Sequence, residues 1–119
     1  MGKMSRDKGA RFERTVAAMF KDAGYDAHRT AQYRGNTGQA GDVEGPPGLH
    51  IEAKHCEQFR IYDWMAQSVR DAEAEGKANI PTVIYKKNNC EVLVTLRFDD
   101  FIELYREWEA GYGQTIEVM

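Results

Sequence analysis

The amino-acid sequence predicts an α/β fold in which helices flank a mixed β-sheet. Apolar residues recur at helical spacing over roughly residues 8–23 and 61–76, and short stretches of strand type lie between and after them. Polar residues 87–90 separate two of these stretches in the manner of a hairpin turn. The expected order is α-β-β-β-α-β-β-α, which is typical of a sheet covered by helices.

The N-terminal half of the chain is predicted from its apolar spacing and its glycines. The first helix ends at Gly24, a residue suited to a helix C-terminus. Three strands are then expected, at 25–31, at 41–45 and at 49–56. Glycine-rich turns separate these strands.

The C-terminal half begins with the second helix, which is expected to end at Gly76. Strands at 82–86 and 91–96 flank the hairpin turn, where asparagine tolerates a positive φ. Asp99 or Asp100 suits the cap of a last helix.

Length and composition predict one globular domain over residues 1–119. No apolar run approaches the roughly 20 residues of a membrane span, and the N-terminus is too polar for a secretory signal. The two cysteines, Cys56 and Cys90, form no disulfide framework. We therefore expect a cytoplasmic protein with free thiols and no membrane partner.

The net charge of −3 hides an uneven distribution of charge. Residues 1–34 hold eight Lys or Arg against four acids, about +4, whereas the remainder holds eight against fifteen, about −7. A basic N-terminal third is suited to contact with phosphates, although an ordinary solvated helix face has the same appearance.

Residues 41–54, GDVEGPPGLHIEAK, contain the strongest chemical signal. Asp42 precedes an alternating strand that carries Glu52 and Lys54, and alternate side chains of a strand share a face. Two carboxylates and an ammonium group at one point suit a divalent metal and an activated water. Such a site is what phosphodiester hydrolysis needs.

Three segments together carry a resemblance to a known family: KGARFERTVAAMFKDAGYDAHRT, GDVEG and LHIEAK. The chain resembles the PD-(D/E)XK phosphodiesterase superfamily. Within it, the chain is similar to archaeal-type Holliday junction resolvases and their phage and prophage relatives. The resemblance implies a restriction-endonuclease-like fold and a nuclease of a bacterium or a phage-infected host cell.

The resemblance also implies a metal site. Asp42, Glu52 and the carbonyl of Ala53 would hold Mg²⁺, with Mn²⁺ as a substitute, since hard oxygen ligands suit these ions. Glu13 matches the glutamate of the first helix in the family and would reach the metal directly or through water.

Further residues follow from the same resemblance. Lys54 would orient the attacking water and offset charge in the transition state. Gln67 lies where relatives often carry a glutamine, although it falls outside the apolar stripe of the second helix. The proline that precedes the aspartate in the superfamily is Gly41 here, which we expect to leave Asp42 less rigidly held.

The glycine-rich loop 32–40 is interpreted as a contact for nucleic acid, because glycines let a backbone approach phosphates closely. A surface loop without a function is the alternative. Neighbouring basic and polar residues position a phosphate backbone without reading sequence. The DNA-binding candidates are Lys3, Arg6, Lys8, Arg11, Arg29, Arg34, Asn36 and Thr37, with Arg14 and Thr30 beside them.

Other polar residues are weaker candidates. Glu44 shares a face with Asp42 and is interpreted as a solvated acid more readily than as a further ligand. His50 lies on the site face, where it contacts a phosphate, tunes the metal or, more simply, satisfies its hydrogen bonds within the strand. The histidine and cysteine spacing fits no zinc pattern, and the loop lacks the ending of a nucleotide-binding motif, so no nucleotide cofactor is expected.

The sequence therefore predicts a Mg²⁺-dependent, structure-selective endonuclease acting on branched, four-way DNA junctions. Symmetric cutting of two strands implies a homodimer. The hairpin strands and the last helix, with Trp64, Tyr105 and Trp108, are candidates for its interface, although core packing accounts for these aromatics equally well. The alternatives are a repair, restriction-like or nicking endonuclease on duplex or flapped DNA, and a catalytically idle DNA-binding module.

Overall fold

The structure, a computed structural model, describes residues 3–31 and 40–118, and within them every side chain except those of 5, 6 and 113–118. The element order agrees with the prediction. The elements are α1 (Lys3–Asp22), β1 (His28–Arg29), β2 (Val43–Glu44), β3 (Leu49–His55), α2 (Ile61–Glu75), β4 (Ile80–Lys86), β5 (Leu93–Thr95) and α3 (Phe98–Val118).

The five strands form one sheet in the order β1-β2-β3-β4-β5. β3 and β4 run parallel, while the other neighbouring strands are antiparallel. The parallel pair needs a crossover connection, and α2 provides it. The predicted mixed sheet flanked by helices is thereby confirmed.

Helices α1 and α2 cover opposite faces of the sheet. Because successive side chains of a strand point to opposite faces, Ile51 and Ala53 of β3 meet α1, whereas His50 and Glu52 lie on the face toward α2. The core on the α1 side contains Phe12, Val16, Ala17, Ala27, Val43, Ile51, Ala53 and Ile84. The core on the α2 side contains Trp64, Val83 and Tyr85.

Several element boundaries differ from those predicted. α1 begins at Lys3 rather than at residue 8. The prediction missed the first turn because it is mostly polar and has no apolar pattern. The first strand starts at His28 rather than at residue 25, since the amides of Tyr25 and Ala27 donate to Phe20 and Tyr25 in a local turn. β5 is likewise shorter than predicted.

The helix ends also refine the prediction. Asp99 and Asp100 lie in the first turn of α3 rather than at its cap, where acids interact favourably with the helix dipole. Gly76 adopts the left-handed conformation expected at the end of α2, with φ of 73°. Asn89 in the hairpin turn has φ of 60°, as its tolerance of positive φ predicts.

One buried polar atom is unsatisfied within the described residues. Ser68 lies on the buried face of α2, is 0% exposed, and its Oγ has no hydrogen-bond partner. A buried hydroxyl without a partner costs roughly 1–3 kcal/mol of stability. Ser68→Ala is therefore expected to raise the free energy of unfolding by about 1 kcal/mol, as measured by urea denaturation. Thr82→Val is the control, because Thr82 is buried but hydrogen-bonded, and its loss of stability would contrast with the gain at Ser68.

None of the helices described, from 3–22 to 98–118, is both long and apolar enough to cross a membrane.

Candidate active site

Asp42 stands at the entrance to β2 and is fixed to β3 from both its backbone and its side chain. Its amide donates to the carbonyl of Ile51 at 2.7 Å. Its carboxylate oxygen Oδ2 accepts the amide of Ala53 at 2.8 Å. The carboxyl group is thus held against the middle of the strand that carries Glu52.

Glycine at position 41 allows this close approach. A Cβ on Gly41 would lie 2.7 Å from the carbonyl oxygen of Ile51, which is closer than real Cβ contacts. The Gly41 carbonyl also accepts the hydroxyl of Thr30. The expectation that glycine leaves Asp42 less rigidly held stays a prediction, although both the backbone and the side chain of Asp42 are hydrogen-bonded to β3.

Glu52 occupies the centre of β3 on the face covered by α2 and is 5% exposed. Burial, the charge of Glu52 and the charge of Glu13 raise the pKa of Asp42 from 3.8 to about 8, although the Ala53 amide opposes them. Two neighbouring carboxyls that cannot both ionise freely are suited to a divalent cation, which would remove their repulsion.

Glu13 approaches this pair from α1. Its Oε1 accepts Nε–H of Arg29 at 2.6 Å, and both side chains are partly buried. The charge of Glu13 contributes to the raised pKa of Asp42, so the helix glutamate lies near the carboxyl pair. Arg29, predicted as a DNA contact, is thus engaged in an ion pair that positions Glu13.

Lys54 lies two residues after Glu52 on the same face of β3 and is half-buried. It stands opposite Tyr85 of the parallel neighbour β4. Gln67 is exposed, away from the face of α2 that buries Trp64, Ser68 and Ala72. Among the predicted site residues, the fold brings Asp42, Glu52 and Glu13 together and leaves Gln67 at the surface.

His50 contacts Glu52 of the site directly. Its second partner, Glu75, was not predicted from the sequence. Nε2 of His50 lies 3.0 Å from Oε1 of Glu52, and Nδ1 lies 3.1 Å from Oε1 of Glu75. Burial lowers the pKa of His50, but the hydrogen bonds with Glu52 and Glu75 outweigh it and leave that pKa raised. The alternation of β3 placed His50 on the correct face, whereas no local signal links it to a residue 25 positions away.

His50, Glu52 and Asp71 also offer ligand atoms within 4.8 Å of one another. Both ring nitrogens of His50 are already engaged with carboxylates, so this cluster is less suited to a metal than Asp42 and Glu52. Glu44, the other acid considered, pairs with His28 at 3.2 Å.

The DNA-binding candidates are only partly described. Lys3 and Arg11 are exposed on α1 and Lys8 is half-buried there. Thr30 is buried and bonded to Gly41, so its interpretation as a phosphate contact is wrong. The predictions for Arg34, Asn36 and Thr37, and for the side chain of Arg6, lie outside the described residues.

A mixed sheet that presents an aspartate, a glutamate and a lysine from adjacent strands, with a glutamate from the first helix, defines a nuclease of the PD-(D/E)XK class. The chain belongs to the family described as "Phage putative PDDEXK endonuclease", whose model matches residues 4–117. No curated protein matches the chain.

The structure is similar to that of Hjc from Archaeoglobus fulgidus, a Holliday junction resolvase from an archaeal hyperthermophile. The two chains share 25% identity and a TM-score of 0.55, and the match covers 75% of this chain and 72% of that chain. These findings confirm the predicted superfamily, fold and nuclease class.

Proposed function

We propose that this nuclease is a Mg²⁺-dependent endonuclease that cleaves branched DNA, with a four-way junction as its substrate. One observation carries the metal dependence: Asp42 and Glu52 are held as a close carboxyl pair in which the pKa of Asp42 reaches about 8. A buried carboxyl that keeps its proton beside a second carboxyl is suited to a divalent cation, which would replace the proton and satisfy both groups.

The residues have separate roles in this proposal. Asp42 and Glu52 hold Mg²⁺ with the carbonyl of Ala53, and Glu13 contributes from α1. A bound Mg²⁺ supplies an activated water and polarises the phosphate. Lys54 orients that water and stabilises the negative charge that develops on the phosphate oxygens.

The choice of branched DNA rests on the similarity to the archaeal resolvase and on the basic N-terminal third of the chain. A test compares cleavage of a labelled four-way junction with that of a matched linear duplex, in Mg²⁺ and in EDTA. We expect paired nicks near the branch point that require Mg²⁺. Equal cutting of both substrates would instead favour a repair, restriction-like or nicking nuclease, and binding without cutting would favour a binding module.

Symmetric cutting requires two active sites, and we propose that α3 pairs with α3 of a second copy. The α3 stripe consists of Phe101, Tyr105, Trp108 and Tyr112, whose spacing of four, three and four residues places them on one face. Their rings stack in sequence with centroids 5.2–6.1 Å apart. All four side chains are exposed. Trp64, by contrast, is buried in the core and takes no part.

From residue 98 to 112, every residue of α3 except Asp100 and Ile102 is exposed, so little of this helix packs on its own domain. Arg97, which immediately precedes α3, and Asp100 and Glu103 of α3 line an open cleft of about 400 Å³ together with residues of α2. The four residues of the α3 stripe do not line this cleft. Acids outnumber bases along this helix, which disfavours DNA as the partner.

The exposed area suits a second copy. Phe98, Leu104 and the α3 stripe are each 43–72% exposed, which amounts to roughly 600 Å² of side-chain surface per protomer. Stable interfaces bury about 800 Å² per partner, so these six residues supply most of that area.

The variant Tyr105→Ala/Trp108→Ala is therefore expected to convert a dimer into a monomer of 13.6 kDa in analytical ultracentrifugation. Tyr62→Ala is the matched control, because Tyr62 is 90% exposed on α2, away from the stripe. The monomer should nick single strands but lose paired cuts. A wild-type monomer, or a dimer unaffected by the double substitution, would contradict the pairing.

A further inference from the structure

The carboxylate of Glu52 is held by a buried histidine on its own strand. Oε1 of Glu52 lies 3.0 Å from Nε2 of His50, and the two side chains are 7% and 1% exposed. His50 and Glu52 are two residues apart on β3, so their side chains share the face under α2. Because water scarcely reaches either group, this contact rather than solvent determines where the Glu52 oxygen lies.

His50 is itself held from the other side of the core. Its Nδ1 lies 3.1 Å from Oε1 of Glu75, whose side chain is 16% exposed. Glu75 is the last residue of α2, immediately before the left-handed Gly76 that ends the helix. A continuous line of contacts therefore runs from the end of α2 through His50 to Glu52, whose charge acts on Asp42.

We propose that His50, oriented by Glu75, is a positioning residue that fixes Glu52 in the conformation required for metal binding. This inference rests on the proposed function of Asp42 and Glu52. A glutamate side chain has several rotatable bonds, and ordering them costs free energy when a metal binds. Holding Glu52 in place beforehand removes that cost, and groups that orient a metal ligand typically change metal affinity 10- to 100-fold.

The contacts also explain why a charged group lies deep under α2. A buried carboxylate without a partner is strongly destabilising, and His50 supplies that partner. One ring nitrogen of His50 is enough to provide a hydrogen bond to Glu52. The second contact, to Glu75, restricts rotation of the imidazole ring and so directs Nε2 at Glu52.

The test uses Glu75→Ala, since Glu75 does not touch Asp42 and its removal leaves the strand intact. Mn²⁺ binding is measured by calorimetry without DNA, and the Mg²⁺ concentration for half-maximal cleavage is measured separately. Both are expected to show a roughly 10-fold weaker metal affinity, with cleavage largely recovered at saturating metal. Glu75→Gln, which keeps a hydrogen-bond acceptor for His50, should restore most of the affinity.

Two further variants complete the design. His50→Ala is expected to weaken metal binding more than Glu75→Ala, towards 100-fold, provided that circular dichroism shows a folded protein. Glu73→Ala, an exposed glutamate on the same helix, should leave affinity unchanged and controls for the loss of one negative charge.

The possible outcomes separate this inference from the proposed function. A wild-type protein that neither binds Mn²⁺ nor cuts DNA would overturn the proposed function and this inference together. A wild-type protein that does both, beside a Glu75→Ala variant with wild-type metal affinity, would overturn the positioning role alone. Equal weakening in Glu73→Ala and Glu75→Ala would also overturn it, since general charge would then be the cause.

Discussion

Replacement of Lys54 by alanine is expected to slow DNA cleavage by about 10²–10³-fold, because the ammonium group stabilises charge that appears only in the transition state. The affinity for the junction should change much less, since many phosphate contacts share it. The measurement is single-turnover cleavage at saturating protein, with affinity determined separately in Ca²⁺.

Lys86→Ala provides the matched control for this prediction. Lys86 stands opposite His55 in the register of β3 and β4, one residue beyond the Lys54–Tyr85 pair, so its side chain is on the other face of the sheet. The Lys86→Ala substitution removes the same positive charge at a neighbouring position along the strands. Comparable losses in both variants would show that Lys54 acts only through the general field of the protein.

Replacement of Asp42 by asparagine is expected to stabilise the metal-free protein while abolishing metal-dependent cleavage. Burial and the neighbouring Glu52 raise the pKa of Asp42 from 3.8 to about 8. Between these values the folded protein retains a proton that the unfolded chain has lost, so stability falls as the pH rises through this window. Asparagine does not titrate, and Glu52 then has one fewer charged neighbour.

The free energy of unfolding of the Asp42→Asn variant should therefore exceed that of the wild type by an amount that grows from near zero around pH 4 to about 2–5 kcal/mol near pH 8.5. Urea denaturation in EDTA at several pH values measures it. Added Mg²⁺ should stabilise the wild type and leave the variant nearly unchanged, since the cation needs the carboxylate. Stability curves that run parallel across the pH range would contradict the raised pKa.

The fold and part of the site were predictable because the signals are local. The alternation of β3 placed Glu52 and Lys54 on one face, and the glycines at 45–48 marked the turn before it. Gly45 illustrates how strong such a signal is. Its φ is 122°, and a Cβ there would overlap the backbone of Asp26, so no other residue fits.

Other features depend on contacts between distant parts of the chain, which a periodic pattern does not contain. Glu75 reads as a solvated helix residue until the crossover of α2 brings it over His50. Thr30 reads as a strand residue available to a phosphate until its hydroxyl is found on the Gly41 carbonyl. The aromatic residues of α3 fit core packing and a dimer interface equally well in the sequence, and only the three-dimensional arrangement shows that they are exposed.

The hydrogen bonds of Thr30 join the two parts of the chain that lie before and after residues 32–39. The Thr30 amide donates to the Asp42 carbonyl at 2.9 Å, and its hydroxyl donates to Gly41. Both hydrogen bonds hold Thr30 directly beside Gly41 and Asp42. Thr30 therefore ties the segment that carries Arg29, the partner of Glu13, to the aspartate of the site, so that the carboxylates of α1 and of residue 42 share one scaffold.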